Sequence, residues 1–379
     1  MARTLTVAAV QMSVEPAPKE ERLARAEALI RQAAGEGAQL VLLPEVFNTG
    51  YAYSDRNFHL AEPLSGPTAA WMQRLASEEQ IYLGGTLLLL DEEDVYNALL
   101  LVAPDGQIWR YDKQHPWVWE RAYFREGTEI TVAETPWGRF GLLVCWDQAH
   151  PRLWERYAGR VDAILVCSAP PAAHDMTFIF PDGMRLPAAE AGPLPRQMKR
   201  SSCDAFGGCF RRQGAALGVP VVNTAATGTF HSPIPLPRLS TFLFALTRVD
   251  LWPKILQSGS VAVEMPFYHE TWVTDGTGQV LARAEPGREA YALAAVTLPD
   301  ERPRLQGKQP PFGISPFAYA FDEIGNLLLA PVYRQKVRRA LGRRRAPVRR
   351  RIRQWTLALV VVGLLAFLWG RLGARNRRH

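Results

Sequence analysis

Short runs of apolar residues, each only as long as one strand, constrain the fold of this chain more than any other feature. Four of them are QLVLLPE (39–45), RFGLLVC (139–145), DAILVCS (162–168) and VPVVN (219–223). A strand without a polar face is typical of a sheet that is covered on both sides. Helical patterns separate these runs, at 19–34, near 67–79, from about Pro151 and at 197–217. Strands that alternate with helices predict a layered α/β fold.

Further strands are predicted around this core. They lie at 4–11, 81–90, 95–103, 107–113, 271–275, 279–284 and 291–297. Pro104-Asp105-Gly106 predicts a hairpin turn between two of them. Two proline-rich stretches, about 171–196 and 229–259, are interpreted as insertions, which form either ordered surface loops or a lid or membrane-contacting surface.

The net charge of +7 is a property of the C-terminal tail and not of the body. Residues 334–379 hold 15 Lys or Arg and no acidic residue, which leaves 29 basic against 37 acidic residues in 1–333, a net charge of −8. An acidic body argues against a nucleic-acid-binding face. The sequence therefore predicts no nucleic-acid partner.

Cysteine and histidine usage limits the other kinds of site. Four cysteines are too few for a disulfide framework, and Cys203 and Cys209 are expected to be reduced, although the two could pair in an oxidising compartment. The seven histidines lack metal-ligand spacing, so no metal site is predicted.

The segment WTLALVVVGLLAFLWG (355–370) is uncharged and apolar on every side. As a helix it measures about 24 Å against roughly 30 Å of hydrocarbon, but flanking Arg side chains can snorkel, and Trp355 and Trp369 suit the membrane interfaces. We predict a transmembrane anchor rather than a buried core helix. The basic cluster at 334–353 precedes this segment, which suits anionic lipid headgroups and places the body in the cytoplasm by the positive-inside rule.

Three side chains that can perform chemistry follow predicted strands or the hairpin. Glu45 ends LVLLPE, Lys113 lies in RYDKQH and Cys145 ends GLLVC, and strand ends are where side chains enter a site in α/β sheets. Taken singly, each residue type is more often inert or solvated. Together, the carboxylate can take the thiol proton, while the ammonium can lower the thiol pKa and stabilise an oxyanion. The backbone N–H of Trp146 is a second candidate oxyanion donor.

Around these residues the chain resembles the nitrilase, or carbon–nitrogen hydrolase, superfamily over roughly residues 4–300. Three blocks carry the resemblance in matching order and spacing: QLVLLPEVFNTGY, YDKQHPWVWERAYFREG and GLLVCWDQAHP. It implies that Glu45 is the general base, Lys113 the transition-state stabiliser and Cys145 the nucleophile. Glu120, in WERAYFREG, takes the place of a second glutamate that orients substrate and water in the amidase and carbamoylase branches.

Residues near the nucleophile indicate the branch and its departures. Asp147 after Cys145-Trp146 is similar to amidases and carbamoylases, whereas true nitrilases more often have Glu there. Arg152 and Glu155 reverse the order of the family's usual Glu and Arg. Substrate specificity is therefore not transferable from a relative.

The resemblance implies a four-layer αββα sandwich that associates as a homodimer or larger homo-oligomer. We expect a hydrolase domain at 1–300, an extension and basic linker at 301–354, the transmembrane helix at 355–370 and a short basic tail at 371–379. The expected reaction is hydrolysis of a small-molecule amide or N-carbamoyl substrate through a thioester, without a metal or organic cofactor.

Other functions remain open at the level of sequence. The thioester could pass to an amine in an acyltransferase, or the fold could serve as a non-catalytic, membrane-tethered scaffold. A true nitrilase is disfavoured by Asp147 and Glu120. His115 or His150 could pair with Cys145 as in papain-like sites, but a Glu-Lys-Cys set explains more of the pattern.

Overall fold

The computed structural model describes residues 3–192, 208–268, 270–305, 308–311 and 316–341. Strands in these residues are β1 (Arg3–Ser13), β2 (Leu40–Leu42), β3 (Tyr82–Asp91), β4 (Asp94–Val102), β5 (Ile108–Asp112), β6 (Val132–Glu134), β7 (Arg139–Val144), β8 (Ala163–Cys167), β9 (Thr177–Ile179), β10 (Arg185–Pro187), β11 (Val221–Asn223), β12 (Ala226–Thr227), β13 (Thr229–Pro233), β14 (Ala262–Pro266), β15 (Trp272–Thr274), β16 (Val280–Arg283) and β17 (Ala290–Leu298).

Helices in the same residues are α1 (Lys19–Gly35), α2 (Asn57–Leu60), α3 (Pro67–Glu79), α4 (Pro151–Glu155), α5 (Ala188–Ala191), α6 (Phe210–Leu217), α7 (Pro237–Phe244), α8 (Trp252–Gln257) and α9 (Pro316–Ala340). Two 3₁₀ turns, Val118–Ala122 and Cys145–Ala149, matter for the site. Local sequence explains the boundaries of α3, because Pro67 occupies the first turn and Gln80 ends the helix in the left-handed conformation.

Two central sheets form the middle of the molecule. The first has the order β12-β1-β2-β3-β4-β5, with β17 also paired to β1, and the second has the order β16-β15-β11-β8-β7-β6. The innermost pairs are parallel: β1 with β2, β2 with β3, and β8 with both β7 and β11. Hairpins extend the edges, including β4 with β5 as predicted from the turn at 104–106.

Alternate residues of each strand supply two separate hydrophobic layers. In β1, Leu5 and Val7 face the space between the sheets, whereas Ala8 and Val10 pack beneath the helices α1 and α3. On the far side of the second sheet, Trp154 of α4 and residues of α6 complete the core. The layers run helix, sheet, sheet, helix, so the predicted α/β sandwich is confirmed.

A third, four-stranded sheet lies beside the sandwich, in the order β10-β9-β14-β13. The two stretches interpreted as insertions, 171–196 and 229–259, supply most of it, together with helices α5, α7 and α8. The expectation of surface loops is therefore wrong for the described part of these stretches. Phe230 of β13 contacts the rings of Tyr51 and Tyr53, so this sheet covers the loop that follows Glu45.

Helix α9 packs against the sandwich, where the sequence analysis expects an extension and linker. Leu329, Tyr333 and Val337 are buried at helical spacing on one face. Tyr333 accepts a hydrogen bond from Val95 N–H (3.0 Å) and donates one to Asp94 (2.8 Å). No helix in the part of the chain that the structure describes is long and apolar enough to cross a membrane. The predicted span at 355–370 lies outside those residues.

Two further differences from the predicted elements are at boundaries. The strand predicted at 39–45 ends at Leu42, because the chain turns away from the sheet through Pro44 and Val46 has a φ of +50°. The helix predicted at 197–217 is described only as Phe210–Leu217, and 197–207 lie outside the described residues.

Candidate active site

Strand ends from both central sheets bring the predicted residues together. Glu45 follows β2 and Lys113 follows β5 in the first sheet, while Cys145 follows β7 in the second. Glu120 enters from the 3₁₀ turn Val118–Ala122. All four side chains are buried, with no residue more than 4% exposed. Each can therefore act on its neighbours with little screening by water.

Lys113 lies between two carboxylates. Its Nζ is 2.7 Å from Glu45 Oε1 and 2.7 Å from Glu120 Oε2. Burial lowers the pKa of Lys113, but Glu120 and Glu45 outweigh that effect and hold the pKa well above its ordinary value. The ammonium is therefore a permanent positive charge in the site.

The Glu45 carboxylate accepts several hydrogen bonds that fix its orientation. Asn97 Nδ2 donates to Oε1 (2.7 Å) and Ala169 N–H donates to Oε2 (2.9 Å), and the charge of Glu45 acts on the nearby Cys145 thiol. Burial raises the pKa of Glu45, and Lys113 opposes the rise without cancelling it. A more basic carboxylate next to the thiol suits proton transfer from sulfur.

Cys145 begins a 3₁₀ turn in a conformation that is costly for a residue with a side chain, with a φ of +47°. Val46, directly after Glu45, has a φ of +50°, and Val118, at the start of the turn that carries Glu120, has a φ of +30°. Strained residues of this kind cluster at functional sites, where the surrounding structure holds them in place.

Burial favours the protonated form of the Cys145 thiol. Burial raises its pKa well above the ordinary value and Glu45 adds to the rise, whereas Lys113 and the Ala169 N–H act in the opposite direction. The sequence alone indicated only the lowering of the thiol pKa by Lys113. Because burial outweighs it, the thiol needs a base at the moment of attack.

Glu120 is held by residues from two loops. It accepts a hydrogen bond from Trp117 N–H at Oε2 (2.6 Å) and another from the Tyr51 hydroxyl at Oε1. Because Lys113 also donates to Glu120, the carboxylate is saturated with donors and fully buried. Glu120 is therefore a fixed, buried carboxyl group and not the exposed surface side chain that a lone glutamate usually represents.

Asp147 connects the lysine loop to the cysteine turn. Its Oδ1 accepts from the backbone N–H groups of His115 (2.8 Å) and Gln114 (3.2 Å). Its Oδ2 accepts from the Tyr111 hydroxyl (2.8 Å) and Val144 N–H (3.2 Å). Burial raises the pKa of Asp147 to about 6, against the opposing charge of Lys113. Asp147 therefore fixes the separation of Lys113 and Cys145.

The two candidate histidines stack on each other. The rings of His115 and His150 are 3.5 Å apart between centroids and nearly parallel, at 9°. Burial lowers the pKa of His115 to about 4 and that of His150 to about 2. Both rings are neutral near pH 7 and contact each other, which disfavours the papain-like alternative. Trp146, the other candidate oxyanion donor, is the second residue of its 3₁₀ turn.

Sequence reasoning missed three polar residues of this region: Tyr51, Asn97 and Asp322. Asn97 had a detectable signal, because it is an amide within the otherwise apolar strand VYNALLLV. Tyr51 and Asp322 lie in segments without such a contrast. Within the described residues, no group of three or more His, Cys, Asp or Glu side chains is placed to hold a metal ion.

Comparison with known proteins places this site in a family. The carbon–nitrogen hydrolase family model matches residues 6–191. The N-carbamoylputrescine amidase of Solanum lycopersicum is 33% identical over 315 residues, which cover 80% of this chain and 90% of that protein. The chain belongs to the carbon–nitrogen hydrolase family. This hydrolase is also 32% identical to a nitrilase of Pyrococcus abyssi over 149 residues, but that match covers only 38% of the chain and 57% of the relative.

Solved structures share the fold of this carbon–nitrogen hydrolase. An amidase from Nesterenkonia sp. AN1, with acrylamide added to its active-site cysteine, has a TM-score of 0.57 and 17% identity, covering 79% of this chain and 94% of that one. A superfamily protein from Xanthomonas campestris with an arsenic adduct in its active site has a TM-score of 0.55 and 19% identity, covering 91% and 99%. At such low identity the likeness shows the fold alone.

Proposed function

We propose that this hydrolase cleaves the carbon–nitrogen bond of a small amide or N-carbamoyl substrate through a thioester on Cys145. The observation that carries the proposal is the buried constellation in which Glu45 is hydrogen-bonded to Lys113 and lies close enough to Cys145 for its charge to raise the pKa of the thiol. A base, a nucleophile and a permanent cation then lie within one contact network, which is what acyl transfer to a thiol needs.

The first half of the reaction forms the thioester. Glu45 takes the thiol proton while Cys145 Sγ attacks the carbonyl carbon, and negative charge develops on the carbonyl oxygen. Lys113 and the Trp146 backbone N–H stabilise that oxyanion. As the carbon–nitrogen bond breaks, Glu45 gives the proton to the departing amine or ammonia.

The second half releases the product. Water enters the place of the amine, Glu45 takes one of its protons, and the oxygen attacks the thioester carbon. The carbon–sulfur bond then breaks and the proton returns to Cys145. Glu120 orients the substrate and this water from the far side of Lys113. An amide gives a carboxylic acid, and an N-carbamoyl amine gives a carbamic acid that loses CO₂.

The substrate class is supported by the relatives and by the charge of the site. N-carbamoylputrescine amidases are 33% identical to this chain over most of its length. Two buried carboxylates around a single ammonium leave an acidic pocket, which suits a neutral amide or urea-type group more than an anionic one. Hydrolysis is favoured over acyl transfer because Glu120 adds a second carboxylate that can orient water.

The test combines turnover with detection of the intermediate. Purified protein is incubated with a panel of amides, N-carbamoyl amines and nitriles, and ammonia release is measured. Mass spectrometry of the digested protein then locates any acyl adduct. We expect ammonia release from amides or N-carbamoyl amines and an adduct on Cys145. Hydroxylamine traps the thioester as the hydroxamate. Without any added amine a hydrolase still releases the acid, whereas a transferase needs an amine acceptor to turn over, and this difference separates hydrolysis from transfer.

A matched control is available within the fold. Cys167 ends β8, the strand next to β7, and is also a buried free thiol. Cys145→Ala should abolish both turnover and adduct, whereas Cys167→Ala should keep them. Turnover that survives in Cys145→Ala would refute the thioester mechanism.

We also propose that residues 355–370 anchor this hydrolase to a membrane, with the catalytic body on the cytoplasmic side. The support is the apolar run itself, flanked by the basic cluster at 334–353. The full chain should remain in the membrane pellet after alkaline carbonate extraction, and a chain ending at Leu341 should not. Release of the full chain by carbonate would contradict the anchor.

A further inference from the structure

Helix α9 places a buried carboxylate against both turns of the active site. Asp322 is 1% exposed. Its Oδ1 accepts a hydrogen bond from Val118 N–H (3.0 Å), and its Oδ2 accepts from Arg121 Nη2 (3.2 Å) and Trp146 Nε1 (3.2 Å). One side chain therefore contacts the turn that carries Glu120 and the residue that follows Cys145.

The partners of Asp322 are those that need support. Val118 is β-branched and has a φ of +30°, a conformation that costs free energy and persists only when its surroundings hold it. Its N–H, bonded to Asp322, opens the 3₁₀ turn that presents Glu120 to Lys113. The hydrogen bond from Trp146 Nε1 to Asp322 fixes the indole ring beside Cys145, whose backbone is itself in the left-handed region.

Docking of the helix does not by itself account for Asp322. Other residues attach α9 to the body: Leu329 and Val337 are buried, Tyr333 bonds to β4, and Lys336 pairs with Asp55. Burying a carboxylate costs free energy, and an apolar side chain often stabilises a helix contact as well. A carboxylate at this point therefore indicates that the surrounding donor groups need hydrogen-bond acceptors in defined positions.

We infer that Asp322 is a positioning residue of the active site, which holds the Glu120 turn and the Cys145 turn in register from the C-terminal helix. It touches neither substrate nor the reacting atoms. Asp322 lies outside residues 6–191, the part of the chain that the family model matches, so this chain supports its site with an element beyond that region. The inference rests on the proposed function, because it concerns the geometry of those catalytic groups.

The experiment compares three substitutions in the full chain. Asp322→Asn keeps the shape but places an amide N–H₂ against donors, and Asp322→Ala removes all three acceptors. Tyr333→Phe is the matched control, because it removes two hydrogen bonds of the same helix at β4 and leaves the active-site turns intact. The measurements are kcat, KM, the thermal midpoint, and the rate at which iodoacetamide alkylates Cys145 as a function of pH.

We expect kcat to fall roughly 10- to 100-fold in Asp322→Asn, because a displacement of about 1 Å in a catalytic group can cost roughly 100-fold. KM should change less than kcat, and the pH dependence of Cys145 alkylation should shift, whereas Tyr333→Phe should change only the thermal midpoint. The inference is overturned if Asp322→Asn and Tyr333→Phe have equal kcat and the same alkylation profile.

Failure of the proposed function has a different signature. In that case Cys145→Ala keeps the wild-type turnover, whatever the Asp322 variants do. If Cys145→Ala is inactive and Asp322→Asn is fully active, only the role of Asp322 is refuted. Should Asp322→Ala not fold, the isosteric Asn variant still decides the question.

Discussion

Replacement of Glu120 by Gln tests how hydrogen bonds and charges couple the residues of the site. Glu120 accepts from Lys113, Trp117 N–H and the Tyr51 hydroxyl, and both of its oxygens are used. A Gln amide has one acceptor, so in either orientation its N–H₂ group meets the Lys113 ammonium and one further donor. Each buried donor left without an acceptor costs about 1–3 kcal/mol, so the two donors together give a loss of roughly 2–6 kcal/mol in the free energy of unfolding.

The same substitution changes the pH dependence of the reaction in a defined direction. The negative charge of Glu120 contributes to the raised pKa of Glu45, after the larger effect of burial. Glu120→Gln removes that charge, so the pKa of Glu45 should fall. Because Glu45 must be deprotonated to accept the thiol proton, activity rises with pH through this pKa. The acid limb of kcat/KM should therefore move to lower pH.

The maximum of the profile should fall at the same time, by roughly 100-fold, because the water and substrate lose an orienting group. The assay is kcat/KM across acid and neutral pH, with urea denaturation for stability. Glu129→Gln is the control, since the Glu129 side chain is exposed, pairs with the exposed Arg156 at 3.7 Å and should leave both quantities unchanged. An acid limb that stays in place, or moves to higher pH, would refute the electrostatic coupling between the two carboxylates.

Three further outcomes follow from the geometry. In the wild type, the acid limb of kcat/KM should lie above the ordinary pH range of a glutamate, because the pKa of Glu45 is raised. Lys113 should cause no basic limb near neutral pH, because its pKa is raised as well. A pH–rate profile checks both expectations. Gly127→Ala places a Cβ 2.3 Å from the Asp112 carbonyl oxygen, so it should lower the stability by about 1–3 kcal/mol, measured by urea denaturation, and reduce kcat by displacing Lys113. Trp154→Ala empties a fully buried site and should lower the free energy of unfolding by about 3–5 kcal/mol, measured by urea denaturation. A loss below about 1 kcal/mol would contradict the described packing.

Short apolar runs made the central sheets predictable. β2, β7 and β8 lie within the runs ending near Glu45, Cys145 and Ser168, because a strand covered on both faces has only apolar residues available. Their ends also brought Glu45 and Cys145 to the same region. The sequence pattern did not indicate that the pKa of Cys145 is raised, because burial of the thiol depends on residues from every layer.

The third sheet was not predictable from local sequence. β9 and β10 have three residues each, which is too short for an alternating pattern to stand out. β9 pairs with β14 across a long intervening segment, Ala262 lying opposite Ile179. Pairing at such separation is decided by tertiary packing, and the prolines in both stretches favoured an interpretation as loops.

Helix α9 was missed for a related reason. Pro331 lies inside it, and the basic residues of its last turns resemble a linker. Its buried face became visible only with its partners: Leu329, Tyr333 and Val337 fit against β4 and the Glu120 turn. Asp322 is likewise an ordinary acidic residue in the sequence, and only the donors around it reveal its use.

The catalytic strands come from two different sheets, and this has a consequence for how activity and folding are related. β2 and β5 bring Glu45 and Lys113 from one sheet, whereas β7 brings Cys145 from the other. Neither sheet contains the full proposed set, so we expect no turnover from a fragment limited to one half of the sandwich. Separation of the sheets disassembles the site before any strand is lost. Turnover is therefore expected to depend on an intact interface between the sheets. An inhibitor that contacts both Cys145 and Lys113 binds only when the two sheets are packed together, so it should also stabilise the folded state.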